Sequence, residues 1–282
     1  MPTDSPWADL EILVVGALTI DRFADGTVAP GGSVLHSTRA LALDRQRAGV
    51  VTVAADDPVS RGALDELAGL AALHAEPAAA TVTFEHVETP AGRVLTLAEP
   101  AATLISPRTA ERPASVLYAA VAGELTPELG GQRYDRARTG AILQGWLRSL
   151  EPGRTVVPLP LASLAPEARG VLARCDLLIA SREDLLADAD DAELQLDAMR
   201  ATFGGAPVLV VTVGIDGAWL DTPGGGRSAV PAPFIARDVP MVGAGDGYAA
   251  VMLAAMGRGA PPDEAAAHAA RLTAEWLAAR AR

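Results

Sequence analysis

Near the end of the chain, Val242-Gly243-Ala244-Gly245-Asp246-Gly247 joins small side chains to one carboxylate and runs straight into an apolar stretch. Small residues let a ligand come close to the backbone. A helix opening there presents N–H groups without intrahelical partners, beside the positive end of the helix dipole. Such a terminus holds an anion without any lysine. Asp246 would stand in the first turn, where a carboxylate can take a proton from a hydroxyl attacking a phosphoryl group. The same spacing equally fits a plainer arrangement: a glycine turn, then an acidic residue that complements the helix N-terminus.

Other segments carry weaker chemistry. The apolar run Val208–Val213 leads into Gly214-Ile215-Asp216-Gly217, a glycine turn of the kind that borders nucleotides at a sheet edge. Ile12–Val15 ends in Gly16, and Asp21 follows, suited to holding polyol hydroxyls. Gly31-Gly32 then opens a helix-like stretch. His36, His74, His86 and His268 are scattered without metal-ligand spacing, and only His36 falls on the side of Asp21 and Gly31. Cys175 reads as a small buried residue. Asp188, Asp190, Asp191 and Glu193 read as a solvated helix start rather than a calcium loop.

The elements that must position these residues follow from hydrophobic pattern. Ile12–Val15, Val50–Val53, Val116–Val121, Leu177–Ile179 and Val208–Val213 are almost continuously apolar, as in strands covered on both faces. Helices are expected over Arg39–Arg47, Pro58–His74, Ser181–Ala187 (capped by Ser181), Gly245–Met256 and Asp263–Arg280. This alternation predicts an α/β fold, a doubly wound, mostly parallel sheet flanked by helices. Two segments break it. Residues 19–30 carry the tight-turn pair Asp25-Gly26, and residues 81–98 read as a hairpin turning at Pro90-Ala91-Gly92. Both are expected to form a small β-lid on a single domain spanning residues 1–282.

Composition narrows the function. Half of the 282 residues are hydrophobic, which supports a large core, and the net charge of −12 disfavours a nucleic-acid or polybasic membrane binder. All 23 basic residues are arginine, so no lysine mechanism is available. One cysteine excludes an internal disulfide and a cysteine-based zinc cluster, and suits a reducing cytoplasm. Met1–Leu10 carries Asp4 and Asp9 and lacks the basic start of a secretory signal. No apolar run approaches the ~20 residues of a membrane span.

Taken in order, these segments resemble the ribokinase-like PfkB carbohydrate kinase family over essentially the whole chain. Gly16 to Asp21 looks like its first substrate loop, and Gly31-Gly32 like its double glycine. Val53-Ala54-Ala55-Asp56-Asp57-Pro58 resembles a strand end usually written with Gly-Asp. Thr212-Val213-Gly214-Ile215-Asp216-Gly217 resembles the Thr-x-Gly-x-x-Gly nucleotide turn, and Gly243-Ala244-Gly245-Asp246 matches the Gly-Ala-Gly-Asp motif. Thr83-Phe84-Glu85-His86 with Gly92-Arg93, and Gln144-Gly145-Trp146-Leu147-Arg148, are similar to the branch of inositol, cyclitol and nucleoside kinases.

The resemblance implies an ATP-dependent kinase acting on a hydroxyl of a sugar, cyclitol or nucleoside. Asp246 would be the base, and the backbone of Gly243, Ala244 and Gly245 the anion hole. Thr212, Gly214 and Gly217 would border ATP. Asp21, Gly31, Gly32 and His36 would meet the substrate. Magnesium would arrive with ATP, its waters near Glu183 and Asp184, and two copies would pair through the lid.

Several positions depart from the family pattern. Asp-x-Thr ahead of the motif is here Pro240-Met241-Val242, which lacks the oxygens that help bind a monovalent cation, so little potassium activation is expected. His36 replaces an Asn, and Ser181-Arg182-Glu183-Asp184 stands for Asn-x-x-Glu. The chain ends at Arg282, soon after His268, where the family carries a further segment lining the adenine pocket, which implies an incomplete pocket or a loosely held nucleotide. These departures favour a second reading, a catalytically weak or inactive kinase-like protein that binds a small ligand or partner. Retention of Asp246 favours the enzyme. A dehydrogenase is disfavoured, because Gly16 belongs to no Gly-x-Gly-x-x-Gly turn.

Overall fold

The computed structural model describes residues 5–89, 92–104, 112–126, 137–233, 239 and 241–280. In chain order the first strands are β1 (Ile12–Val15), β2 (Thr19–Phe23), β3 (Val28–Gly31), β4 (Ala48–Ala54), β5 (Ala72–Pro77), β6 (Val82–Thr89) and β7 (Gly92–Glu99). Then follow β8 (Ser115–Tyr118), β9 (Arg138–Ile142), β10 (Leu177–Ser181), β11 (Val208–Thr212), β12 (Ala218–Thr222) and β13 (Gly226–Val230). The helices are α1 (Ser33–Leu43), α2 (Pro58–Leu70), α3 (Pro166–Leu172), α4 (Ala192–Phe203), α5 (Ala244–Gly257) and α6 (Pro262–Arg280).

Nine strands form the main sheet in the order β13-β12-β11-β10-β9-β8-β1-β4-β5. Pairing is parallel from β5 through to β11, and β12 and β13 add an antiparallel edge. Alternate residues of each central strand enter two separate apolar layers. Ile12, Val14 and Val50 join α1, α5 and α6, whereas Leu13, Val15 and Val51 join α4 on the other face. That two-sided burial is why these strands are continuously apolar. Helix α5 is buried all round from Gly247 to Met256, as expected for a helix apolar on every side. Gly247 lets it approach α1, because a Cβ there would stand 3.0 Å from the Ala40 Cβ.

The hairpin expected over residues 81–98 lies outside the main sheet. It forms a four-stranded sheet, β3-β2-β6-β7, with the 19–30 hairpin, which turns at Gly26 with φ +86. Of its expected turn residues, Pro90 and Ala91 lie outside the described residues.

Several boundaries differ from the sequence reading. Helix α1 covers Ser33–Leu43 rather than Arg39–Arg47, because Gly32, at φ +96, starts it directly. Helix α2 stops at Leu70, and Ala72–Pro77 becomes β5 beside β4. The strand expected over Val116–Val121 ends at Tyr118. The Ala119 amide still reaches the Val15 carbonyl of β1 at 2.8 Å, but those of Val121 and Ala122 bond to the Glu124 carboxylate rather than to a neighbouring strand. Ser181 caps only a short 3₁₀ turn, Arg182–Leu185. Among the described residues no helix is long and apolar enough to cross a membrane.

Candidate active site

The chain runs β1, β4, β5 toward one edge of the main sheet, then returns through β8, β9, β10 and β11 toward the other. The order therefore reverses between β1 and β8, and ligands of α/β sheets bind outside the carboxyl ends of strands at such a point. Glu124 closes that crevice. It is fully buried and accepts from the amides of Ala17 (2.8 Å), Val121 (3.0 Å) and Ala122 (2.8 Å), tying the ends of β1 and β8 together.

Helix α5 opens at the same edge. Gly243 is its N-cap in the left-handed region, at φ +81. The Gly247 amide makes a helical bond to the Gly243 carbonyl at 3.0 Å, so the amides of Gly245 and Asp246 precede that first turn's closure. The two glycines are small for different reasons. A Cβ on Gly243 would stand 2.3 Å from His36 Cγ, whereas one on Gly245 would meet nothing nearer than Thr212 Oγ1 at 4.0 Å. Gly243→Ala should therefore lower Tm, with a left-handed backbone cost of about 1–2 kcal/mol before any clash. Gly245→Ala should leave Tm unchanged or higher. Melting curves on both variants check this, and equal melting temperatures would contradict it.

Asp246 is half-buried in the first turn of α5. Burial pushes its carboxyl above the ordinary carboxylate range, and nearby Asp184 adds to that. His36, the Ser33 hydroxyl and Arg148 pull the other way. Ser33 and His36 both come from α1, whose Ser37 hydroxyl donates to the Asp246 carbonyl at 3.1 Å. His36 Nδ1 is buried without a hydrogen-bond partner. The His36 ring lies against Gly243 and meets Trp276 edge-on at 6.0 Å. Arg280 covers the other part of Trp276 and donates to the Val242 carbonyl at 2.8 Å.

The Asp21 side comes from the smaller sheet. Asp21 Oδ1 and His86 Nε2 are 2.9 Å apart, and the His86 ring stacks on Phe23 at 4.8 Å. A Cβ on Gly31 would collide with the Asp21 carboxylate, and one on Gly32 with the Ala17 carbonyl, so the double glycine lets the Asp21 loop settle onto the start of α1. Asp21, on β2, favours the charged form of His36.

On the other side, Thr212 ends β11 and faces Gly245. Gly214, at φ +62, faces open space, whereas Gly217, at φ +103, is pressed against the Val230 carbonyl and serves the turn itself. Asp184 Oδ2 accepts from the Ser181 amide and hydroxyl at 3.1 and 2.7 Å, and its Oδ1 lies 3.6 Å from Arg148. Glu183 is exposed beside it. Pro240 lies outside the described residues. His74 is exposed on β5, and His268 pairs with Asp44 at 2.9 Å. Cys175 is buried, its thiol pushed up to about 12 by desolvation.

The structure thus gathers Asp246, His36 and the Asp21 loop at one edge with Thr212, Gly245 and Asp184. Sequence reading gave no role to Ser33, Arg148, Glu124 or His86. Ser33 follows the double glycine and Arg148 sits within a quoted motif, but neither spacing tells where the side chain points.

A family profile described as pfkB family carbohydrate kinase matches residues 19–279. Comparison with curated protein sequences gives no match. Among solved structures, a pyrophosphate-dependent kinase in the ribokinase family, complexed with a pyrophosphate analog and myo-inositol, is similar at 19% identity and TM-score 0.75, covering 93% of this chain and 94% of that one. The ribokinase of Arabidopsis thaliana, complexed with ribose and ATP, gives 14% identity and TM-score 0.70 over 94% and 92%. The ribokinase of Cryptococcus neoformans var. grubii, in complex with ADP, gives 17% identity and TM-score 0.65 over 92% and 90%. At these identities the likeness establishes the fold, which is ribokinase-like.

Proposed function

This chain belongs to the pfkB family of carbohydrate kinases, phosphotransferases with an alcohol acceptor, and from that premise we propose that it phosphorylates a hydroxyl of a sugar, cyclitol or nucleoside with Asp246 as general base. The observation that carries this reading is the placement of Asp246: a carboxylate in the first turn of a helix where the Gly245 and Asp246 amides precede the first helical bond, Gly247 to Gly243. The acceptor sits between Asp21 and Asp246, bordered by Gly31 and Gly32. Asp246 takes the hydroxyl proton as the oxygen attacks the terminal phosphorus of the donor, whose bond to the bridging oxygen breaks so that ADP leaves. The Ala244 amide, expected in the anion hole, donates instead to the Met241 carbonyl at 3.0 Å, which leaves the amides of Gly243 and Gly245, with that of Asp246, to meet the charge that builds on the transferred group. Thr212 and Gly214 border the rest of the donor.

Magnesium suits this donor set as an ion brought by phosphates rather than caged by protein, since such ions keep several waters and use one or two carboxylates. Glu183 and Asp184 would hold its waters, and the ion would neutralise donor charge. The donor is ATP in this reading. Pyrophosphate is the second reading, because the fold matches pyrophosphate-dependent relatives as well as ATP-binding ones. A screen of pentoses, hexoses, inositols and nucleosides, run once with Mg-ATP and once with magnesium pyrophosphate, tests both. Turnover with neither donor would overturn the kinase reading and favour the binding protein.

Potassium should matter little. The Val242 carbonyl already accepts from the Arg280 guanidinium, so a fixed cation stands at the loop. Exchanging potassium for a bulky organic cation at equal ionic strength should change the rate by no more than a general salt effect. A large difference would mean that backbone carbonyls alone build a cation site.

A further inference from the structure

We propose that His86 is a positioning residue for acceptor binding: its Nε2–H holds one oxygen of Asp21, so that the other meets an acceptor hydroxyl in a set orientation. The inference rests on the reading that Asp21 meets the acceptor.

The two side chains share the inner face of the small sheet. Directly paired residues of neighbouring strands lie on one face. The register pairs Asp21 with Phe84 and Phe23 with His86, and then Phe84 with Leu97 and His86 with Leu95. Phe84 and Leu97 belong to the apolar layer on one side of the main sheet, and Leu95 packs against it. On the opposite face Arg22, Glu85 and Val87 are exposed. Of the six paired inner residues only Asp21 and His86 are ionisable. Their side chains are 14% and 9% exposed, and Oδ1 and Nε2 meet at 2.9 Å.

The two Asp21 oxygens are turned apart. Oδ1 meets His86, whereas Oδ2 faces Gly31, where a Cβ would stand 2.3 Å from it. Among the described residues Oδ2 has no hydrogen-bond partner. The last torsion of an aspartate is broad and roughly two-fold, so a lone carboxylate would not keep its oxygens assigned. A donor fixed at Oδ1 does so. That donor is itself held, because the His86 ring lies against Phe23 with centroids 4.8 Å apart. His86 Nδ1 is buried without a hydrogen-bond partner. A phenyl ring would fill the same space without burying an unpaired nitrogen, which is costly. What the imidazole adds over such a ring is the Nε2–H, and in the neutral ring that leaves Nδ1 as the bare nitrogen.

The test is acceptor affinity, read by calorimetry without donor, with D-ribose, D-glucose, myo-inositol and adenosine as probes. His86→Phe and His86→Asn should weaken binding of whichever probe wild type holds by about tenfold or more, the scale of a hydrogen bond to a charged group. His86→Gln should restore most of the loss, because its amide reaches the place of Nε2 and the shorter Asn does not. Adding His86→Phe to Asp21→Asn should cost little more than Asp21→Asn alone, since the two act as one unit. Wild-type affinity in His86→Phe would overturn the proposal, and so would additive losses. Equal losses in the Gln and Asn variants, tracking their Tm, would mark a merely structural residue and also overturn it. A second arm needs no acceptor: NMR of histidine-labelled protein should find the neutral His86 ring protonated at Nε2, and protonation at Nδ1 would overturn the pairing. A probe that binds without turnover with either donor would sink the kinase reading alone, and the affinities would still decide the role of His86. Binding of none of the four to wild type would overturn the acceptor role of Asp21 and this proposal with it.

Discussion

Asp246→Asn should lower kcat by about 10²–10⁴-fold, the usual worth of general-base catalysis, while Tm stays the same or rises. The amide keeps the shape of the carboxyl but cannot accept the proton. Position alone suggests that the variant is destabilised, because losing a negative charge at a helix N-terminus costs roughly 0.3–1 kcal/mol. The surroundings reverse that sign. The Asp246 carboxyl is raised above its ordinary value, chiefly by burial, so the ionised form is on balance disfavoured in the folded protein. A group of this kind contributes stability at low pH that is lost as pH rises through its folded-state value. Asn carries no such loss. Above that value the variant should therefore melt no lower than wild type, and the difference should close on acidification. Melting curves across pH and kcat on the same preparations check both parts. An Asn variant with wild-type kcat would end the assignment of Asp246 as base.

Glu124→Ala should produce the largest loss of stability. Its carboxylate satisfies the buried amides of Ala17, Val121 and Ala122. Leaving three buried donors unpaired costs about 1–3 kcal/mol each. The sum is comparable to the whole stability of a typical domain, roughly 5–15 kcal/mol. At about 2–4 °C per kcal/mol, Tm should fall by about 6 °C or more. Glu124→Gln should fall in between, because one oxygen remains while its NH₂ faces an amide donor. The Ala17 bond also anchors the loop that leads to Asp21, so the acceptor KM should rise in any Gln variant that stays folded. Wild-type melting of Glu124→Ala would show that water replaces the carboxylate at little cost.

Most central elements were legible because burial on two faces leaves a local mark. Ile12–Val15 is found as read, and Leu177–Ile179 and Val208–Val213 fall on observed strands with their ends adjusted. The turn Gly243–Gly245 also kept its place, since few other residues suit a left-handed cap followed by a close approach. Strand β9, Arg-Thr-Gly-Ala-Ile, was not legible. Its composition favours no strand, and it is extended because β8 and β10 pair with it on both sides. Strand β5 was hidden in the same way behind a helical pattern that fades only after Leu70.

The amino-acid sequence by itself determined the two apolar layers, the helix opening at Gly243, and the presence of one carboxylate in its first turn. These depend on side-chain period and on backbone freedom, which are local properties. The tertiary structure decided what surrounds that carboxylate. His36 and Asp246 are 210 residues apart in sequence, and Ala17 and Glu124 are 107 apart. Their meeting depends on the reversal of strand order between β1 and β8 and on α5 docking against α1. Desolvation and charge–charge contact act through space over a few ångströms, so the ionisation of Asp246 was settled only when the sheet brought those segments together.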